Sequence, residues 1–372
     1  MRTLGPIVFL SLLALLMLYT GAKLSFLVDL KGIWVYVLTP MLFALMIGWQ
    51  ILYRVHKDIY NRSWFRAFAW VGSLVFGLWG AFMLISFPFD AVLASGLVAL
   101  DPVALYRALF GVALIIACIG AVQAISGPRL KTVSLAVEKL APSLESMKIV
   151  QISDLHVGAI IRASYVERVV AMVNSVKPDL VVVTGDLVDG TVETLGNEVA
   201  ALAKLNAPLG VFFATGNHDY YSGVTPWLAK LQELGVMPLI NENRLLAVGE
   251  AQLMVAGITD PSGGHFISEH RQDLEKASRG GEQSDFKLLL AHQPNICVEA
   301  SRAGYHLQLS GHTHSGQFFP FSLLVRLAHR YYRGLNLHDK LWVYVNPGTG
   351  FWGPPLRFLV PSEVTLFELK GN

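Results

Sequence analysis

Eight polar side chains in five short segments have the types and spacings that a metal-binding site needs: Asp154 and His156, Asp186, Asn217 and His218, His292, and His312 with His314. Each segment follows a short apolar run, such as Val181-Val182-Val183 before Thr184-Gly185-Asp186. Runs of this kind read as buried strands, and the carboxyl ends of such strands are where open α/β sheets place ligands. Carboxylate, amide and imidazole donors in this mixture suit Mn, Fe or Zn rather than Ca. Singly the signals are weak. A lone Gly-Asp is usually a turn, a lone Asp-x-His a cap or surface pair, and a lone His a hydrogen-bonded core residue. Five such segments in order, each ending a strand, are not explained by those ordinary roles. In extended backbone, residues two apart point to one side, so Asp154 with His156, and His312 with His314, are each expected to grip one ion. Gly185, Gly216 and Gly311 stand beside the ligands, where they let the chain turn and approach closely.

The chain between these segments must supply the elements that hold them. Strands are expected at Thr132–Glu138, Met147–Ser153, Val181–Val183, Gly210–Thr215, Met237–Ile240, Leu253–Ile258, Phe286–Ala291, His306–Ser310, Trp342–Val345 and Val364–Leu369. Helical periodicity covers Ser164–Val176, with Ser164 as its N-cap, and recurs near Leu195–Leu205 and Pro226–Leu234. Strands alternating with helices and then mostly strands indicate an α/β domain, a mixed β-sandwich flanked by helices.

Upstream the composition changes. Four apolar runs, Leu4–Ala22, Ile33–Tyr53, Phe65–Phe87 and Leu105–Ile125, match the roughly 20 helical residues that cross a bilayer. Thr20-Gly21-Ala22 also resembles a signal-peptide cleavage site; either way the following loop lies outside. The expected organisation is a four-span transmembrane anchor over 1–127, a linker and approach strand over 128–146, and the catalytic domain over 147–372. Basic residues set the orientation. Arg54, Lys57, Arg62 and Arg66 mark the second loop as internal, Arg2, Arg129 and Lys131 agree, and Lys23 and Lys31 dissent. Asp90 and Asp101 are placed in the third loop. The expected location is therefore a multi-pass cell-membrane protein with a cytoplasmic catalytic domain. No span carries an acidic or His residue at its centre, which argues against a transporter. A net charge of +2 gives no case for a nucleic-acid partner, and Cys118 and Cys297 form no disulfide framework.

At the chemical segments the chain resembles the calcineurin-like metallophosphoesterase superfamily. The matching motifs are Asp154-x-His156, Gly185-Asp186, Gly216-Asn217-His218-Asp219, His292 and Gly311-His312-x-His314. They extend over about Lys148–Gln317, with Asn346-Pro347-Gly348 and Pro361-Ser362-Glu363 also similar. The soluble half is most similar to bacterial, often membrane-associated phosphoesterases, a branch that includes pyrophosphohydrolases of a UDP-2,3-diacylglucosamine lipid precursor. The resemblance implies two divalent ions, one held by Asp154, His156 and His314, the other by Asn217, His292 and His312, with Asp186 bridging. Ions about 3.5–4 Å apart repel, and an anionic bridge offsets that repulsion. A water shared between them would ionise near neutral pH and attack phosphorus. His218, left without a metal, would protonate the leaving oxygen. Asp219 stands where many relatives have Glu, which would bear on the orientation of His218.

Other polar residues carry less. Asp189 reads as a turn residue or one that supports a ligand rather than binding metal, and Asn346 as a turn residue. Asp260, His265 and His270 have no assigned role. The Phe318–Phe321 run, followed by Arg326, Arg330 and Arg333, is either a packed loop with a short helix or an apolar lip with arginines for a substrate phosphate. The sequence thus points to a phosphate-ester substrate, with a lipid or nucleotide-linked lipid favoured by the anchor, and to no identifiable protein partner. The contrasting expectation is a non-catalytic, metal-stabilised membrane sensor or binding scaffold, which would have no need of His218.

Overall fold

The computed structural model describes residues 4–28, 32–55 and 57–371. The chain divides into two compact units, Met1–Ala121 and Val122–Asn372.

The first unit is built from α1 (Leu4–Val28), α2 (Ile33–Val55), α3 (Ser63–Ser95) and most of α4 (Pro102–Ser126), whose last turn belongs to the second unit. Among the described residues, three helices, Ile33–Tyr53, Ser63–Ser95 and Pro102–Ser126, are long and apolar enough to cross a membrane. Large side chains such as Trp34, Val71 and Ile115 point outward, as helices facing hydrocarbon require. α3 runs beyond the expected end at Phe87, so Asp90 is helical and not a loop residue. It pairs with Lys23 and accepts hydrogen bonds from Tyr19 and, at 2.5 Å, from Tyr106. Lys23 is therefore a buried, paired cation rather than a loop charge. Arg2 and Lys31 lie outside the described residues.

The second unit contains twelve strands. They are β1 (Arg129–Val137), β2 (Lys148–Ile152), β3 (Leu180–Thr184), β4 (Val211–Ala214), β5 (Val236–Pro238), β6 (Glu242–Val248), β7 (Ala251–Gly257), β8 (Phe286–Leu290), β9 (Leu307–Ser310), β10 (Gly334–His338), β11 (Leu341–Val345) and β12 (Glu363–Gly371). One six-stranded sheet has the order β1-β12-β2-β3-β4-β5, the other β10-β11-β9-β8-β7-β6. The helices are α5 (Ala163–Ser175), α6 (Val192–Leu195), α7 (Asn217–Tyr221), α8 (Val224–Glu233), α9 (Leu274–Ser278), α10 (Cys297–Arg302) and α11 (Phe321–Ala328).

Alternation builds the sandwich. Ile149, Leu180, Val182 and Phe212 of the first sheet meet Leu253, Val255, Leu288 and Leu309 of the second in one apolar core. Their neighbours Met254, Ala256 and Leu289 point to the other face of the second sheet, where α9 and α10 contribute Ala277 and Ala300. Period-two burial of this kind fixes register, because a one-residue slip would exchange the two faces.

Two local expectations fail. The N-cap of α5 is Arg162, not Ser164; the first helical N–H, from Ala163, is satisfied instead by Glu198 Oε2 at 2.7 Å. The helix expected near Leu195–Leu205 is the single turn α6 followed by a 3₁₀ turn at Ala200–Lys204. Gly196 and Asn197 interrupt the periodicity there, and both have low helix propensity.

Candidate active site

Strands β2, β3 and β4 are mutually parallel, as are β8 and β9. Their carboxyl ends therefore deliver all five chemical segments to one end of the sandwich. The turns are tied to one another. Asp154 N–H donates to Gly185 O at 3.0 Å, His156 N–H to Asp186 O at 3.0 Å, and Gly311 N–H to His292 O at 2.9 Å. The Asp154 carboxylate accepts the His312 N–H at 2.9 Å.

The donors do not sit on extended backbone. Asp154, His156, Asp186, His312 and His314 have φ between 48° and 67°, a left-handed conformation that costs non-glycine residues energy and persists only where the surroundings enforce it. This overturns the expectation that each i, i+2 pair grips one ion. Asp154 and His156 stay together and meet His314, whereas His312 turns away to join Asp186 and His292. Two glycines make the crowding feasible. A Cβ at Gly311 would collide with the Asp154 carboxylate and Ser153 Oγ, and one at Gly216 with the Asp186 carboxylate.

Within the first group, His156 Nε2 and His314 Nε2 are 3.0 Å apart, and His314 Nε2 is 3.4 Å from Asp154 Oδ1. In the second, His292 Nε2 lies 3.2 Å from both Asp186 Oδ2 and His312 Nδ1. Asp186 Oδ2 is also 3.8 Å from His156 Nε2, so this carboxylate reaches both groups. Asn217, at the start of α7, has a buried Oδ1 with no hydrogen-bond partner, a costly state for a carbonyl oxygen.

These donors fit divalent metal. His292 Nδ1–H donates to Thr184 O at 2.8 Å, which turns Nε2 toward Asp186, where a bound ion would displace the ring proton. His156 Nδ1–H donates to Asp189, 3.1 Å from each oxygen, and frees its Nε2. Fixing one ring nitrogen with an acceptor so that the other can ligate is the usual support for metal-binding histidines. His314 differs: its Nδ1 accepts from Arg357 Nη2 at 3.1 Å, so a neutral ring carries its proton on Nε2. Ligation through Nε2 requires that contact to be exchanged.

The calcineurin-like phosphoesterase family model matches residues 147–316, from the approach to β2 to just past His314. A metallophosphoesterase of Aquifex aeolicus is 35% identical over 246 residues, which cover 66% of this chain and 92% of the relative. The chain belongs to the calcineurin-like phosphoesterase family. The similarity extends to a bovine transmembrane protein with metallophosphoesterase domain, 38% identical over 269 residues, 69% of this chain and 60% of that one. An uncharacterised metallophosphoesterase of Helicobacter pylori is 36% identical over 256 residues, 67% of this chain and 66% of the relative. The chain thus spans about 60% of the length of the bovine relative it matches.

Charge among these donors is distributed unevenly. Burial opposes ionisation of Asp186, but His292, then His156 and His218, outweigh it and hold the carboxyl well below the usual range. Asp154 is shifted upward, chiefly by burial and then, against the pull of His292, by the Asp186 charge. Burial, with His292 next, pushes His312 down to about 4. Burial and His156 hold His314 well below its ordinary value. Neutral imidazole is the form that ligates metal.

His218 lies beside the first group: its ring centroid is 4.8 Å from that of His156, and His156, Asp189 and His218 form a third cluster that could hold an ion. The His218 Nδ1 is 2.7 Å from Asp189 Oδ1, and its ring lies between Trp352 and Tyr221, both exposed. Burial disfavours its charge, but the Asp189 hydrogen bond and charge prevail and push it up to about 9. Asp189 therefore serves both His156 and His218. Asp219 does not orient His218: its carboxylate accepts the N–H groups of Asp186, Leu187 and Gly216 at 3.0, 3.0 and 2.7 Å, pinning the Gly185-Asp186 turn against α7.

The arginines proposed for substrate are exposed: Arg326 on α11, Arg330 beside the Tyr331 ring, and Arg333. Their segment approaches the donors through His329, whose ring centroid is 6.2 Å from that of His312. Asn346 is a buried turn residue, accepting the Gly348 N–H at 2.7 Å. Asp260 accepts from Ser262 N–H and Gln293 Nε2, and its charge acts on His292 and His312; His270 pairs with Tyr220. Sequence reasoning missed Arg357. It is fully buried and donates to the carbonyls of His314, Pro347 and Gly350. Burial pushes its pKa down to about 10, so it remains a cation beneath His314.

Proposed function

We propose that this protein is a membrane-anchored, metal-dependent phosphoric ester hydrolase acting on a lipid or nucleotide-linked lipid phosphate. The observation that carries it is the convergence of six donors, with Asn217 Oδ1 buried and unpartnered at the start of α7, beside His218 held by a carboxylate. Asp154, His156 and His314 would hold one divalent ion and Asn217, His292 and His312 a second, with Asp186 shared. Such ions supply Lewis-acid chemistry, easing ionisation of water and neutralising phosphate oxygens. The chain's own groups do the rest. Asp219 fixes the turn that presents Asp186, and Asp189 orients His156 and His218. Water adds to phosphorus and gives up a proton to solvent, the ester P–O bond breaks, and the leaving oxygen takes the proton held at His218 Nε2. A binding scaffold would need the donors but not a partly exposed His–Asp pair.

Purified protein stripped by chelation is expected to lose hydrolysis of a generic phosphodiester and to regain it with Mn. The reloaded enzyme should cleave a long-chain lipid phosphate or nucleotide-linked lipid in preference to its water-soluble headgroup. Full activity after chelation would refute the metal requirement; equal turnover with and without the acyl chains would refute the lipid.

The anchor in this proposal has four spans, α1 to α4, with both ends and the catalytic domain in the cytoplasm. The basic loop at Arg62 and Arg66 supports that orientation. Pairing of Lys23 with Asp90 removes one of the two dissenting charges. A reporter fused after the last residue should be active in its cytoplasmic form alone, and periplasmic activity would reverse the orientation.

A further inference from the structure

Helix α11 has six apolar residues among its eight and buries none of its side chains. Leu323 and Leu324 are each 50% exposed, Leu327 85%, and Phe319 just before the helix 40%. The edge strand β10 adds exposed Leu335 and Leu337. Of the expected lip only Phe318 turns inward, stacking on Phe321 at 5.9 Å. An exposed apolar helix of this kind marks an interaction site. Its charge is one-sided. Arg326, Arg330 and Arg333 lie on or just after the helix, and no Asp or Glu occurs between Glu299 and Asp339.

Leucines and arginines on a helix that the domain does not cover match an element lying in a bilayer interface. The chain itself provides the bilayer. It carries helices apolar enough to span one, and only Gly127 and Pro128 separate the end of α4 from β1. A two-fold contact between copies is opposed by charge, because it would bring the same arginines together with no carboxylate between them. We propose that α11 and the arginines after it form a docking element that lies in the interface of the anionic membrane the chain spans. Only four residues, 317–320, separate the His314–Gly316 turn from α11, and Gly316 packs against the backbone of Ser322. Docking there holds the donor cluster at headgroup level. The docking does not depend on the hydrolysis proposed above, and its test reads no activity.

The full chain, with Cys118 and Cys297 replaced by Ala, would carry a polarity-sensitive fluorophore at Leu327→Cys and be placed in nanodiscs of phosphatidylglycerol and phosphatidylcholine. Emission should be blue-shifted and quenched about twofold or more by doxyl-labelled lipid, less so without phosphatidylglycerol. The same fluorophore at Glu250→Cys, in an exposed turn, should be unaffected. A Leu327→Cys probe as solvent-exposed and unquenched as the Glu250→Cys probe overturns the proposal. So does a blue-shifted probe that doxyl lipid fails to quench, which would mean cover by protein such as a second copy.

Discussion

Replacing Asp186 with Ala is expected to lower phosphodiester hydrolysis by at least about 10³-fold, equivalent to about 4 kcal/mol of transition-state stabilisation. It should also lower the bound metal measured on the purified protein. The Asp186 carboxylate is within reach of both donor groups, 3.2 Å from His292 and 3.8 Å from His156. It also accepts the His218 N–H at 2.8 Å. Its loss removes the charge that offsets repulsion between neighbouring cations and releases the start of α7. Asp186→Asn separates these effects, since the amide oxygen can still accept the His218 N–H while the charge is gone. Both variants should lose metal and activity. Metal also stabilises the state that binds it, so the rise in Tm that metal gives the wild-type protein should shrink in both. Wild-type metal content with unchanged turnover in Asp186→Ala would remove this residue from the site.

The parts of the fold that deliver Asp186 were legible because β2, β3, β4, β8 and β9 are short apolar runs ending in residues that cannot continue a strand. The strands that escaped notice, β6 and β10, are the two edges of one sheet. An edge strand buries at most one face, and Glu242-Asn243-Arg244 and Gly334-Leu335-Asn336 lack a continuous apolar signal. The site was legible in residue type but not in backbone. Left-handed φ at Asp154, His156, His312 and His314 carries no sequence mark of its own, since glycine is the usual signal for it. Extended spacing therefore paired His312 with His314, whereas the folded turn sends them to different groups. Arg357 was hidden for a similar reason. An arginine just after Gly353-Pro354-Pro355 reads as a surface loop residue, and only the packed turn at Pro347–Gly350 shows that it is enclosed. Asp189 could be placed near the ligands but not given its two histidine partners, because those contacts join three separate loops.

His218→Ala should leave metal content unchanged and still lower hydrolysis by about 10²–10⁴-fold on an ester whose alcohol is a poor leaving group, the range for loss of a positioned general acid. The residue is placed for this role: in the proposed ion arrangement its side chain is not a ligand, its Nδ1 is fixed by Asp189 at 2.7 Å, and it is partly open beside Trp352 and Tyr221. Removal leaves Asp189 with its second partner, His156, still 3.1 Å away, so the first donor group keeps its support. The choice of ester separates proton donation from a structural effect. A p-nitrophenyl ester expels an anion that is stable without a proton, so its hydrolysis should fall far less than that of the alkyl ester. His218→Gln, which can hydrogen-bond but not donate a proton as an acid, should behave like Ala on the alkyl ester. Equal losses on both esters, or loss of metal with the ring, would mean that His218 shapes the site rather than protonating the leaving oxygen.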